Sequence, residues 1–276
     1  MSTQPFYLME NPNESARLEE KNNEDEVRRQ LEISGLKSGM KALDVGCGSG
    51  VVARLMARIA GPNRVTGLDM SATRLEQARA LAQKAELAVD FVAGEATNFG
   101  LASASFDYSW SRFLFEYLPE PQKALREMIQ VTRPGGIVAV ADLDGQLETF
   151  FPLDETTQAD LADALRVLSQ TGFDPRVGRK LFHWFLAAGL ENVRVDVAPY
   201  QVYAGALSER DLGNWREKLA TGTRQLSALT GQTERWRRFH DTVLQHLQSR
   251  DIFYYSTLIT VWGTVPLSDS LSDARF

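Results

Sequence analysis

Gly46, Gly48 and Gly50 alternate with Cys47 and Ser49, directly after the short run Leu43-Asp44-Val45. Val51, Val52, Leu55, Met56 and Ile59 then follow as an apolar helix start. A strand that turns through glycines into a helix brings backbone N–H groups and a helix N-terminus up to a ligand, because no Cβ blocks the approach. Such a unit suits a nucleotide-like cofactor. The dinucleotide fingerprint needs Gly-x-Gly-x-x-Gly or Ala, whose last small residue lets helix and strand pack closely. Counted from Gly46, that position is Val51. The spacing here is Gly-x-Gly-x-Gly, which speaks against NAD.

The segments that follow repeat the pattern of strand ends. Residues 63–69 read as a second strand ending in Asp69, after a helix stop at Gly61-Pro62. Asp69 lies 21 residues beyond Gly48. A carboxylate at that tip can accept both ribose hydroxyls of an adenosine. Its alternative is a charge at a helix N-terminus before Ser71. Residues 89–93 form a third strand, followed by Gly94-Glu95-Ala96. The fourth, 106–110, carries Asp107 and runs into Ser111-Arg112-Phe113. A helix over 122–131 leads through Thr132-Arg133-Pro134-Gly135-Gly136 to an apolar fifth strand, 137–141.

Taken in order from Lys41 to Asp142, this set resembles the class I S-adenosylmethionine-dependent methyltransferases. The resemblance implies an α/β fold: a Rossmann-like, seven-stranded, mostly parallel sheet with helices on both faces. It implies S-adenosylmethionine as cofactor, bound across Asp44, Gly46, Gly48, Gly50, Asp69, Met70, Glu95 and Ala96. Glu95-Ala96 would contact the adenine, with Glu95 standing where aspartate is commoner. The turn Ser111-Arg112 would line the methionine half. Arg112 would face the cofactor carboxylate or pair with Glu116. In many relatives an N-terminal segment folds over the cofactor, so residues 1–35 are expected to form a helical cap. Within it Tyr7, Arg17 and Lys21 are candidates for the methionine carboxylate.

Composition narrows the function. A 276-residue chain with 43% hydrophobic residues can bury the core of one large domain, expected over residues 36–276. The net charge of −6 argues against a general nucleic-acid binder, since phosphate binding needs a basic surface. One cysteine, Cys47, rules out an internal disulfide and fits a cytoplasmic setting. It reads as a small packing residue, not a nucleophile. No apolar run reaches a membrane span, no signal peptide is evident and no metal-ligand pattern stands out.

Beyond the fifth strand, helices are expected over 156–170 and 179–188, and strands over 193–197 and 253–265. The resemblance makes these the antiparallel sixth and seventh strands. The stretch between them, 207–250, is far longer than a hairpin connection and carries Leu212, Trp215, Leu219, Leu226, Trp236, Phe239 and Val243 at helical spacing. It reads as a helical lid over the acceptor pocket. An amphipathic pair of helices is equally a homo-oligomer contact. Candidate general bases are His183, His240 and Asp142, each set against a plain structural role at a helix surface or strand end. The reading is therefore methyl transfer to a small-molecule acceptor, mainly apolar or aromatic. The alternatives are a tRNA or protein methyltransferase and a non-catalytic cofactor-binding protein.

Overall fold

The computed structural model describes residues 23–267. Its elements run α1 (Glu24–Ile33), β1 (Ala42–Val45), α2 (Val51–Ala60), β2 (Val65–Asp69), α3 (Ala72–Lys84), β3 (Val89–Ala93) and β4 (Phe106–Arg112). A 3-10 turn at Phe115–Tyr117 precedes α4 (Pro121–Val131) and β5 (Thr132–Asp144). Then come α5 (Glu155–Ser169), α6 (Gly178–Ala187), β6 (Glu191–Ala204), α7 (Glu209–Thr230), α8 (Thr233–His246) and β7 (Phe253–Thr264). The strands form one seven-stranded sheet in the order β3-β2-β1-β4-β5-β7-β6. The pairs among β1 to β5 are parallel. β7 runs antiparallel to both its neighbours, β5 and β6. It is therefore the one reversed strand of the seven.

Alternation along the strands builds a core on each face. In β5, Val138 and Val140 join α4 and α6 on one side; Ala139, Ala141 and Leu143 join α1, α2 and α3 on the other. β1 is buried along its whole length, as a central parallel strand must be. The Arg-Pro-Gly-Gly segment is the first part of β5, not a turn before it. Arg133 Nε donates to Asp107 Oδ1 at 2.5 Å, which clamps β5 to β4 at their amino ends.

α1 is fastened to the sheet at several points. Arg29 makes two hydrogen bonds with Asp196 of β6, at 3.2 and 2.7 Å, and Ser34 Oγ lies 2.7 Å from the Tyr108 hydroxyl. Its apolar side, Val27 and Leu31, packs on the sheet. Tyr7, Arg17 and Lys21 lie outside the described residues.

A third core sits apart from the sheet's two faces. α5, α7 and α8 bring Leu161, Leu168, Leu219, Leu226, Trp236, Phe239 and Val243 together with Tyr254 of β7. The stretch between β6 and β7 thus forms two helices packed on each other and on α5. Among the described residues no helix is long and apolar enough to cross a membrane, and no three His, Cys, Asp or Glu side chains group as a metal site.

Candidate functional site

The carboxyl ends of β1, β2 and β4 surround one cleft. It begins at the glycine turn. Gly46, Gly48 and Gly50 hold φ of 73°, 53° and 79°, the left-handed region in which a side chain is costly. The Gly46 and Cys47 N–H groups both donate to the Leu68 carbonyl, at 2.8 and 3.0 Å. Gly48 N–H donates to Asp69 Oδ2 at 2.8 Å, and Ser71 N–H to Asp69 Oδ1 at 2.9 Å. Asp69 therefore ties the turn of β1 to the end of β2 while its carboxylate lines the cleft.

Asp44 lies beside it, only 3% exposed. The Ala53 backbone bonds its carboxylate, while Oδ2 has no partner among the described residues. Burial, and then the Asp69 charge, push its pKa up to about 7. Between about pH 4 and that value the folded chain holds a proton that an unfolded aspartate has released, so the free protein loses stability as pH rises through this window. Asp44→Asn removes that proton linkage. Its melting temperature should fall less than that of the wild type between about pH 5 and pH 8, by calorimetry. Equal falls would contradict the assignment.

Seven of the expected cofactor residues line the cleft: Asp44, Gly46, Gly48, Asp69, Met70, Ala96 and Arg112. Three do not. Gly50 caps α2 against the sheet, and a Cβ there would lie 2.8 Å from Phe91. Ser111 Oγ donates to the Val45 carbonyl at 3.0 Å, joining β4 to β1. Glu95 is exposed beside the cleft-lining Gly94 and Ala96. Arg112 Nε donates to Gln30 Oε1 of α1 at 3.3 Å, and its guanidinium stacks 3.9 Å from the Phe113 ring centre. Cys47 is buried and its thiol is pushed up by burial and by Asp44, so it stays protonated and packs.

The candidate bases lie away from the cleft lining. His183 is exposed on α6, whose buried side is Leu181 and Phe185. His240 pairs with Asp241 at 3.0 Å on α8. Neither lines the cleft. Asp142 is wholly buried behind the wall: its Oδ1 accepts from Leu143 N–H at 2.8 Å and its Oδ2 from Glu116 N–H at 3.2 Å. His246 on α8 is half-buried and lies 3.3 Å from Asp154.

Sequence reasoning leaves out Arg74, Leu114 and Tyr117 and names Glu116 only as a partner for Arg112; all four lie on the cleft wall. Glu116 sits in a 3-10 turn too short to carry any periodicity. Phe113 enters that turn at a positive φ of 56°. In the amide orientation that satisfies both neighbours, Gln146 donates to Glu116 Oε2 at 3.0 Å and accepts from Lys218 Nζ at 2.7 Å. Lys218 belongs to α7, so the insertion is wired to the cleft wall.

A glycine turn after β1, an acid at the end of β2 and this strand order define a class I methyltransferase fold. Residues 43–140 match the family model described as a methyltransferase domain, and the chain carries that domain. Over 120 residues it is 38% identical to a malonyl-[acyl-carrier protein] O-methyltransferase of Pectobacterium atrosepticum, covering 43% of this chain and 45% of that one. Over 204 residues it is 29% identical to a demethylmenaquinone methyltransferase of Staphylococcus aureus, covering 69% and 82%. The match spans less than half the length of the first three curated relatives. A Haemonchus contortus phosphoethanolamine N-methyltransferase 2 in complex with S-adenosyl-L-methionine superposes with a TM-score of 0.55 at 19% identity, over 88% of this chain and 52% of that one.

Proposed function

We propose that this chain transfers a methyl group from S-adenosylmethionine to a small-molecule acceptor, mainly apolar or aromatic. The observation that carries the reading is the convergence on one cleft of the glycine turn, Asp69 and an Asp44 Oδ2 without a partner among the described residues. A buried carboxylate oxygen without a donor suits a cationic ligand group, here the ammonium of the methionine moiety. Asp69 keeps lone pairs for ribose hydroxyls after accepting its two backbone N–H bonds. Arg112 suits the carboxylate, and the backbone around Glu95 and Ala96 suits the adenine.

When bound, the cofactor supplies an electrophilic methyl. The protein then has to hold the acceptor in line with it and keep water out. The insertion over 207–250 serves as the lid for both tasks. Its two helices and α5 line a small apolar pocket with Leu161, Leu165, Leu219, Leu226 and Phe239, among others. Against transfer to tRNA stands the net charge of −6.

Two titrations and one transfer assay test this. S-adenosylmethionine should raise the melting temperature in a saturable way, while NADH should give no saturable change. Methyl label from the cofactor should enter the organic-soluble fraction of a metabolite extract, and RNase treatment of the extract should not reduce it. Saturable micromolar NADH binding, or label lost on RNase treatment, would overturn the reading. Cofactor binding with no transfer to any fraction would favour a non-catalytic binder.

A further inference from the structure

β6, at the edge of the sheet, shows its apolar side to solvent. Alternation turns Asp196 to α1, where it pairs with Arg29 at 2.7 Å, and turns the valines to the other face. Val193 is covered there by the core under α6. Val195, Val197 and Val202 are exposed, Val197 by 60%. Register carries this face across to β7, with Val202 opposite Tyr255 and Ala204 opposite Phe253. Both rings are exposed, and their centres lie 5.8 Å apart. Phe151 exchanges two backbone hydrogen bonds with Phe253, at 2.8 and 2.6 Å, so it stands on the same face, 70% exposed. α6 borders the patch. Its Trp184 lines a groove with Pro119 and Pro121, ahead of α4. At about 100° per residue, Phe182 and Leu186 fall on the opposite flank, toward β6, and both are exposed.

We propose that this face of β6, β7 and α6 is the contact between two copies of the chain, related by a two-fold axis. Eight of the twelve large apolar side chains exposed among the described residues gather on it. With whole-residue areas of about 150–250 Å2, their exposed fractions amount to roughly 800 Å2, which is what each partner gives to a stable interface and more than the ~300–600 Å2 of the largest patch on an ordinary monomer. The strand positions on this face, taken alternately from Val195 to Ala204 and from Phe253 to Thr257, carry no charge. That matters for a second copy, because each chain brings a net charge of −6 and a like-charged contact would repel.

The shape of the patch suits a two-fold. Its rings, Phe151, Phe253 and Tyr255, lie at one end, and the smaller Val195 and Val197 lie at the other, beside α6. A two-fold sets the rings of one copy over the valines of its partner, so bulk meets hollow twice. The copies pack face to face. Pro199 has no N–H to offer, and the register shifts between Pro199 and Gln201, so β6 is a poor template for a further strand. The helices of the insertion make a weaker contact surface. Their apolar residues fill the third core, and of their large apolar side chains only Leu229 is exposed. No residue of the patch lines the cofactor cleft, so the contact leaves both clefts open.

Sedimentation velocity on the full chain, from about 1 to about 100 μM, tests this. The wild type should be a dimer at the upper end, and high salt should not dissociate it, since the contact is apolar. Val197→Lys and Val202→Lys each place two unpaired charges in the dimer contact, so each should raise the dimer dissociation constant by about 100-fold or more. Both positions are exposed in the single chain, so the variants should fold and keep S-adenosylhomocysteine affinity within about twofold. The melting temperature of the wild type should rise with protein concentration, and that of either variant should not. A wild type that stays monomeric over the whole range would overturn the proposal without any variant. Undiminished dimers of the folded lysine variants would also overturn it and move the contact to another surface, such as the insertion. A monomeric wild type that binds phosphatidylcholine vesicles, with Val197→Lys losing that binding, would give the face to a lipid surface instead.

Discussion

Asp69→Ala should weaken S-adenosylmethionine binding by about 100-fold, the scale of two lost hydrogen bonds to a charged acceptor. The carboxylate has two tasks at once. It accepts the Gly48 and Ser71 N–H groups at 2.8 and 2.9 Å, which sets the shape of the glycine turn. It also lines the cleft, where it would take the ribose hydroxyls. Alanine removes both, leaving the Gly48 N–H without its acceptor. Asp69→Asn offers one acceptor oxygen where the carboxylate had two, so its loss should be intermediate. Calorimetry on the three proteins checks the order. Equal affinity for wild type and Asp69→Ala would remove Asp69 from the cofactor site.

Trp215→Ala should cost about 3–5 kcal/mol of stability, the usual range for deleting a large buried aromatic. Trp215 is 1% exposed and stands on α7 against Phe150 and Tyr254, at ring separations of 5.4 and 5.3 Å. The Lys218 ammonium lies 4.8 Å from the centre of the same ring. Loosening this contact should let α7 lift from β7 and carry Lys218 away from Gln146. Methyl transfer into the extract should then fall far more than cofactor affinity, because the acceptor is no longer held and water is no longer excluded. Denaturant unfolding, cofactor calorimetry and sizing on one preparation check this. Retained transfer, together with a shift from oligomer to monomer, would reject the lid and make the insertion an interface.

The elements of the sheet were legible because their signals are local. β1, β2 and β3 are short runs that end in an acid or run straight into glycine, and such runs are written in consecutive residues. α5, α6 and the two helices of the insertion announce themselves by period, and their observed ends fall within a few residues of the expected ones. The glycine turn carried its own chemistry, since a left-handed backbone next to a strand end has few other uses.

What the sequence left open concerns which way a side chain points once the strands are laid side by side. Ser111 and Arg112 are neighbours in the chain. The pleat turns Ser111 to the Val45 carbonyl and Arg112 to the cleft. Asp142 and Glu116 are 26 residues apart, and only the pairing of β4 with β5 brings the turn after one strand over the end of the other. Residue type alone makes the histidines candidate bases, whereas helix packing leaves His183 in solvent and His240 beside Asp241. Local pattern thus determined the strand ends, the glycine turn and the class of cofactor they suit. The tertiary structure alone decided which acid faces the cleft and which lies behind it, because burial and charge pairing depend on contacts between segments that no spacing in the chain encodes.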